Sequence, residues 1–97
     1  LAEIVDAVGD RIDVMMDGGV QRGTHVLKAL ALGAKAVGVG RYYLFPLAAA
    51  GQAGVDRALD LMRAELERGM KLMGCTSVRQ LGREQLRFRS TMARTPP

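Results

Sequence analysis

The sequence has few of the features that mark specialised classes of protein. Cys75 is its only cysteine, so neither an internal disulfide nor a cysteine-based metal cluster can form within this chain, and we expect no metal site. The apolar stretches are interrupted well before the ~18 residues that a membrane-spanning helix needs. These shortages predict a protein of the cytoplasm and leave attachment to the inner face of a membrane open.

The excess of positive charge is also small. Fourteen Lys and Arg residues against ten Asp and Glu give a formal net charge of +4. Four of the arginines lie near the C-terminus: Arg83, Arg87, Arg89 and Arg94. Aromatic residues make up 4% of the chain, and a single one, Phe88, lies among these arginines, whereas single-strand-binding surfaces stack successive bases on several aromatic side chains. We therefore predict no nucleic-acid partner, and a small basic nucleic-acid-binding module remains the alternative from a different class of function.

What the sequence does contain is a pattern of alternating helices and strands. Apolar residues at helical spacing predict a first helix over 1–9, and a short apolar run predicts a strand over 12–16. After a glycine-rich loop, a second helix is predicted to begin at Thr24, its N-cap, and to end at Gly33.

The same unit then recurs. A second short strand is predicted over 36–40, and a second loop opens at Gly40-Arg41. A short helix is predicted over 42–50, where Pro46 is compatible only with the first turn or with a kink. Apolar residues advancing by threes and fours predict a long amphipathic helix over 55–73.

The predicted order is αβαβα, and the strands are expected to be parallel because a helix separates them. Two parallel strands cannot close a barrel, and apolar strands left at an edge would invite aggregation. We therefore expect an α/β fold in which residues 1–97 are the C-terminal part of a (β/α)8 TIM barrel, namely its last two βα units plus terminal helices. The first residue, Leu1 rather than Met, agrees with a fragment or a processed product.

The stretch DGGVQRG, Asp17 to Gly23, has the chemistry of an anion-binding loop. Gly18 and Gly19 allow a sharp turn and a close approach of the backbone N–H groups to a ligand. The next helix adds the positive end of its dipole, and Gly40-Arg41 repeats the arrangement with a guanidinium that binds phosphate oxygens bidentately. Since Asp17 would repel a phosphate, we expect it to accept hydrogen bonds from an uncharged part of the ligand or to brace the loop.

The stretch DGGVQRGTHVLKALALGAKAVGVGR, Asp17 to Arg41, resembles the C-terminal FMN-phosphate segment of the FMN-dependent α-hydroxy-acid dehydrogenase and oxidase family. That family includes L-lactate dehydrogenases, glycolate oxidases and mandelate dehydrogenases, and residues 42–81 resemble its final helices. The resemblance implies that FMN is the cofactor and that the remainder of the barrel is the partner of this segment. The FMN-binding residues that it implies are Asp17, Gly18, Gly19, Val20, Gln21, Gly40 and Arg41.

For the complete protein, the resemblance implies an enzyme that oxidises a small L-2-hydroxy acid to the 2-oxo acid. It also implies a homo-oligomer, with an electron acceptor that these residues do not identify. Another phosphate- or flavin-binding TIM-barrel enzyme is the alternative that shares the same two loops.

Two features depart from the family's pattern. Gln21 stands where the family loop, Asp-Gly-Gly-Val-Arg-Arg-Gly, usually has its first arginine, so either phosphate affinity is lowered or Arg22 compensates. The family's catalytic histidine and substrate-binding arginine belong to a His-Gly-Gly-Arg-type motif that precedes the matching region, and that motif is absent here. The only histidine, His25, is expected to be an exposed polar residue, so we predict no catalytic residue within this chain.

Overall fold

The structure is a computed structural model that describes residues 1–89. Its elements follow the predicted αβαβα order: α1 (Ala2–Val8), β1 (Met15–Asp17), α2 (Gly23–Ala31), β2 (Ala36–Gly38) and α3 (Gly40–Leu72). Two single turns of 3-10 helix, Val78–Gln80 and Arg83–Gln85, follow α3. Arg94, one of the clustered arginines, lies outside the described residues.

The two strands pair in parallel, as predicted, with Met15 opposite Ala36 and Asp17 opposite Gly38. Both strands are shorter than the predicted ranges of 12–16 and 36–40. The amide of Ile12 still donates to the carbonyl of Val8 at 3.0 Å, so the turn that ends α1 continues into the first part of the predicted strand. At the other end of the sheet, the chain enters α3 only two residues after β2.

The second helix has nearly the predicted bounds, but the prediction of Thr24 as its N-cap was wrong. The helix begins at Gly23, and its N-cap is Arg22, whose side chain makes no capping hydrogen bond. Gly23 is buried against α3, where an added Cβ would lie 2.5 Å from the backbone nitrogen of Leu66. The start of α2 is therefore fixed by close packing on α3 and not by a capping motif in the local sequence.

The third helix is interrupted between the two helices predicted over 42–50 and 55–73. Ala50 and Gly51 have non-helical backbone angles, with φ 58° and ψ −138° at Gly51. Pro46 precedes this break by four residues, and the backbone at Gly54 approaches the Pro46 carbonyl so closely that no Cβ would fit. Although α3 has 33 residues, none of the helices within residues 1–89 is long and apolar enough to cross a membrane.

The core is narrow and is built mostly from small side chains on α2 and its neighbours. The buried apolar residues are Val14, Val20, Leu27, Ala29, Ala31, Ala34, Ala58 and Cys75. Cys75 is thus a packed residue beside a helix end. Large apolar side chains remain exposed, including Met15 at 71% and both Phe45 and Leu72 at 83%. The radius of gyration is 15.3 Å, whereas a compact domain of this length would have about 12.5 Å.

Arg83 fastens the C-terminal segment to the first two helices. Its guanidinium lies 2.9 Å from the carboxylate of Asp6, and it donates to the carbonyls of Ala2 and Leu32 at 3.3 and 3.5 Å. One of the arginines on which the nucleic-acid alternative rests is therefore engaged in contacts within the protein.

Candidate functional site

A cleft of about 470 Å³ lies at the carboxyl ends of β1 and β2. Because neighbouring parallel strands end at the same edge of a sheet, the two loops that follow them lie side by side. The structure brings all seven predicted residues together in this cleft: Asp17, Gly18, Gly19, Val20, Gln21, Gly40 and Arg41. Four further lining residues did not emerge from the sequence, and they are Gly38, Val39, Tyr43 and Leu44.

The loop after β1 has the glycine-specific backbone that the sequence predicts. Gly18 has φ 101° and Gly19 has φ 74°, values that side chains other than glycine rarely adopt. Apart from the adjacent residues of the chain, no atom of residues 1–89 lies within 4 Å of the position of a Cβ on either glycine. The next residue, Val20, is 3% exposed, so its side chain anchors the loop in the core and only its backbone is available to a ligand.

Asp17 braces this loop, which is one of its two expected roles. Its Oδ1 accepts a hydrogen bond from the amide of Gly18 at 2.8 Å. The carboxylate lies across β2, because a Cβ on Gly38 would be only 2.9 Å from the same oxygen. The sequence signal for this approach is a glycine inside a strand, which commonly marks close contact with another group.

The side chain of His25 also holds the loop that follows β1. Its Nδ1 accepts a hydrogen bond from the backbone amide of Gln21 at 3.1 Å, and the residue is half-buried. The expectation that His25 is simply an exposed polar residue was therefore wrong. The bond requires an unprotonated Nδ1, because a protonated imidazole has donors at both nitrogens.

Arg22 and Glu65 form an ion pair that fixes the end of the loop to α3. The guanidinium Nη2 lies 2.6 Å from Glu65 Oε2, and Nε donates to both carboxylate oxygens. The hydrogen bonds from Arg22 lower the pKa of the Glu65 carboxyl below its usual value, with burial acting in the opposite direction. The same contact raises the pKa of Arg22.

The same carboxylate also caps α2. Oε1 of Glu65 accepts a hydrogen bond from the amide of Thr24 at 3.3 Å, so a side chain from α3 occupies the helix start that we expected to face an anion. Arg22 does not line the cleft at the carboxyl ends of the strands and is directed toward Glu65. In this structure it therefore does not replace the charge that is missing at Gln21.

The connection after β2 is built differently. A single residue, Val39, separates β2 from α3, so Gly40 and Arg41 are the first two residues of the helix. The first amides of a helix have no carbonyl partner within it, and they carry the positive end of its dipole. Both residues are exposed, and within residues 1–89 no protein acceptor pairs with the Arg41 guanidinium. These donors and the dipole make the start of α3 an anion-binding position.

The two tyrosines after Arg41 have different environments. The hydroxyl of Tyr42 donates to the carbonyl of Ala58, which ties together the two segments of α3 on either side of the break. Tyr43 is 40% exposed and lines the cleft. Consecutive helical residues point about 100° apart, so both rings cannot face the same neighbour.

The hydrogen-bond donors at the start of α3 fit a phosphate group. Backbone amides at the start of α3 and the planar guanidinium of Arg41 match phosphate oxygens, and the open space beside the glycines admits a close approach. The one carboxylate in the cleft, Asp17, already accepts a hydrogen bond from its own loop.

Comparison with known proteins agrees with this chemistry. The family model of FMN-dependent dehydrogenases matches residues 1–88. The chain is 54% identical over 87 residues to glycolate oxidase 3 of Arabidopsis thaliana, covering 90% of this chain and 24% of that protein. It is 46% identical over 86 residues to L-lactate dehydrogenase (cytochrome) of Saccharomyces cerevisiae, covering 89% of this chain and 15% of that protein.

A solved structure matches as well. A soluble mutant of the membrane-associated (S)-mandelate dehydrogenase from Pseudomonas putida superposes with a TM-score of 0.83 at 41% identity, covering 89% of this chain and 24% of that one. The structural neighbours are TIM-barrel flavoenzymes, and the two parallel strands and their helices are consistent with part of such a barrel. The chain thus spans about a quarter or less of the length of these relatives. The family match covers nearly all of the chain, and we conclude that it belongs to the family of FMN-dependent dehydrogenases.

Proposed function

We propose that this chain is the phosphate-binding part of an FMN-dependent enzyme that oxidises an L-2-hydroxy acid to the 2-oxo acid. The three relatives are named for glycolate, lactate and mandelate, which are all 2-hydroxy acids. In the proposed reaction the substrate loses two electrons and two protons from its α carbon and hydroxyl group. FMN, when bound, supplies the two-electron acceptor.

The observation that carries the proposal is the position of Arg41. Its guanidinium and the first amides of α3 meet the glycine loop in one cleft at the carboxyl ends of two parallel strands. Phosphate sites made by the last loops of a barrel and a helix N-terminus are a recurrent feature of that fold. We assign the phosphate of FMN to Gly40 and Arg41, and the ribityl chain to the loop from Asp17 to Gln21.

In the complete protein, we propose that residues 1–97 supply the last two βα units and the final helices of the barrel. The exposed apolar residues Met15, Phe45 and Leu72 support this assignment, because such side chains are normally covered. The two-stranded sheet also offers unpaired edges that neighbouring barrel strands would complete.

The catalytic base and the substrate-binding arginine are proposed to come from that remainder. His25 is the only histidine of this chain, and its Nδ1 is engaged with the loop backbone. The contribution of this segment is therefore positional: it sets where the reactive end of the cofactor lies.

The test uses the complete protein loaded with FMN and mixed anaerobically with L-lactate, glycolate or (S)-mandelate. We expect at least one of these acids to bleach the visible absorbance of the flavin and to yield one 2-oxo acid per flavin reduced. For a chiral substrate, the opposite enantiomer is the matched control and should leave the absorbance unchanged. A protein that does not retain FMN, or whose flavin no L-2-hydroxy acid reduces, would contradict the proposal.

A further inference from the structure

The contact between His25 and the glycine loop carries an inference about cofactor affinity. Three consecutive positions of the loop are fixed in different ways. Val20 is fixed by burial at 3% exposure, and Arg22 is fixed by its ion pair with Glu65. The peptide amide between them, that of Gln21, is held only by Nδ1 of His25 at 3.1 Å among the contacts of the described residues.

We propose that His25 is a positioning residue for the cofactor loop and acts only in its unprotonated form. As an acceptor at Nδ1, it sets the orientation of the Gln21 peptide and, through it, the cradle formed by Gly18 and Gly19. Both glycines adopt positive φ, so their own backbones have a wide choice of conformations when the neighbouring peptide is released. This inference rests on the proposed function, since it concerns affinity for FMN.

Protonation removes the acceptor. An imidazolium carries a hydrogen on both ring nitrogens, so neither can accept. The imidazolium then directs an N–H group at the amide N–H of Gln21, and both lack a partner in that arrangement. The hydrogen bond between His25 and Gln21 is therefore present at the higher pH and is lost as the pH falls.

Other charged groups lie on α2 or line the same clefts as Gln21. They are Lys28 on α2, Arg22 in the loop, Glu65 and Arg68 on α3, and Asp17 and Arg41 in the cofactor cleft. The two acids are already occupied: Glu65 is paired with Arg22, and Oδ1 of Asp17 accepts from Gly18. Neither is in contact with the imidazole, so neither offers a protonated ring a replacement partner.

Two substitutions separate the acceptor from the rest of the side chain. In His25→Asn, the amide oxygen is the same number of bonds from the backbone as Nδ1, so it can accept from Gln21 and does not titrate. In His25→Gln, the amide lies one carbon further out, where Nε2 of the ring would be. The Asn variant therefore keeps the contact at every pH, and the Gln variant is its matched polar control without the contact.

The test is the dissociation constant for FMN of the complete protein and the two variants, measured by flavin fluorescence at about pH 8 and about pH 5.5. The phosphate of FMN also titrates near pH 6, so the informative quantity is the ratio of each constant to that of His25→Asn at the same pH. We expect a ratio for the wild type near one at the higher pH and about five at the lower, the size of one net hydrogen bond. His25→Gln should show about the same five-fold weakening at both pH values.

The outcomes separate this role from the proposed function. Binding of FMN with a wild-type ratio that stays near one at both pH values, or that falls below one in acid, would overturn the role of His25 and leave the proposed function intact. Equal affinities of the Asn and Gln variants would overturn it as well. Absence of FMN binding by the wild type at the higher pH would overturn both.

Discussion

The two loops at the carboxyl ends of the strands are opposites in construction. The loop after β1 is held by contacts within the protein: Asp17 bonds Gly18, His25 bonds Gln21, and Glu65 pairs with Arg22. After β2, one residue leads directly into α3, and the exposed Arg41 has no protein acceptor within the described residues. Three donors of the first loop have protein partners before a ligand arrives, namely the amides of Gly18 and Gln21 and the Arg22 guanidinium. The Arg41 guanidinium of the second loop has none among the described residues.

This difference separates two tasks that a cofactor site must perform. Groups that are already hydrogen-bonded within the protein fix the shape of the loop, but they leave fewer donors for a ligand. Unpaired donors at the start of a helix attract an anion but do little to fix the shape of the site. The first loop is thus suited to confining an uncharged chain, and the second to binding the terminal phosphate. Gly23→Ala and Gln21→Arg each disturb the first loop and leave the residues of the second loop unchanged.

The largest effect on stability is expected from Gly23→Ala, which would disrupt the anchor of the first loop. An added Cβ would lie 2.5 Å from the backbone nitrogen of Leu66 and 2.7 Å from the carbonyl oxygen of Met62, and backbone atoms cannot move aside as a side-chain end can. We expect the free energy of unfolding of the complete protein to fall by about 1–3 kcal/mol, as in other overpacked sites. Urea unfolding measures this change.

The matched control for that substitution is Gly40→Ala. No atom lies within 4 Å of a Cβ at this position, so stability should change by less than about 0.5 kcal/mol. If both variants were equally stable, the packing of α2 on α3 would not be what holds the first loop.

A smaller effect is expected from Gln21→Arg, which gives the first loop a charge like that of the second. Gln21 lines the cleft, and Arg22 does not supply a charge there because it pairs with Glu65. We expect FMN to bind more tightly by roughly 0.5–1 kcal/mol at low salt, with the gain shrinking as salt rises, as for other exposed ion pairs.

Titration with FMN at two salt concentrations measures this gain. Gln52→Arg adds the same charge at an exposed position that does not line the cleft, and it should leave the affinity nearly unchanged. An equal gain in both variants would show that net charge, rather than the position of the arginine in the loop, determines the affinity.

Much of the architecture could be predicted because its causes are local in sequence. The periodicity of apolar residues indicated the order of helices and strands, and the rule that a helical connection makes strands parallel indicated that the two loops would meet. The glycines at positions 18 and 19 predicted backbone turns that the structure shows as positive φ angles. The break in α3 at Ala50 and Gly51 lies between the helices predicted over 42–50 and 55–73.

What could not be predicted depends on residues far apart in the chain or on unusual partners. Arg22 and Glu65 are 43 positions apart, so neither the cap of α2 nor the direction of the Arg22 side chain leaves a local pattern. The start of β1 was misplaced because an apolar Ile12 resembles a strand residue, although its amide still belongs to the turn after α1. A histidine that accepts from a loop amide has no sequence signature at all, which is why the role of His25 was missed.

We propose that the second loop binds the phosphate and the first confines the rest of the cofactor. The most direct test compares the affinities of the complete protein for FMN and for riboflavin, which lacks the phosphate, in the wild type and in Arg41→Ala. Arg63→Ala is the control, because Arg63 forms an exposed pair with Glu67 and does not line the cleft.

We predict that Arg41→Ala weakens FMN by about 1.5–3 kcal/mol, or roughly 10- to 150-fold, while leaving riboflavin affinity unchanged. Arg41→Lys should recover only part of the loss because an ammonium lacks the planar fork. An equal loss for both ligands, or no loss for FMN, would contradict the assignment of the phosphate to Arg41.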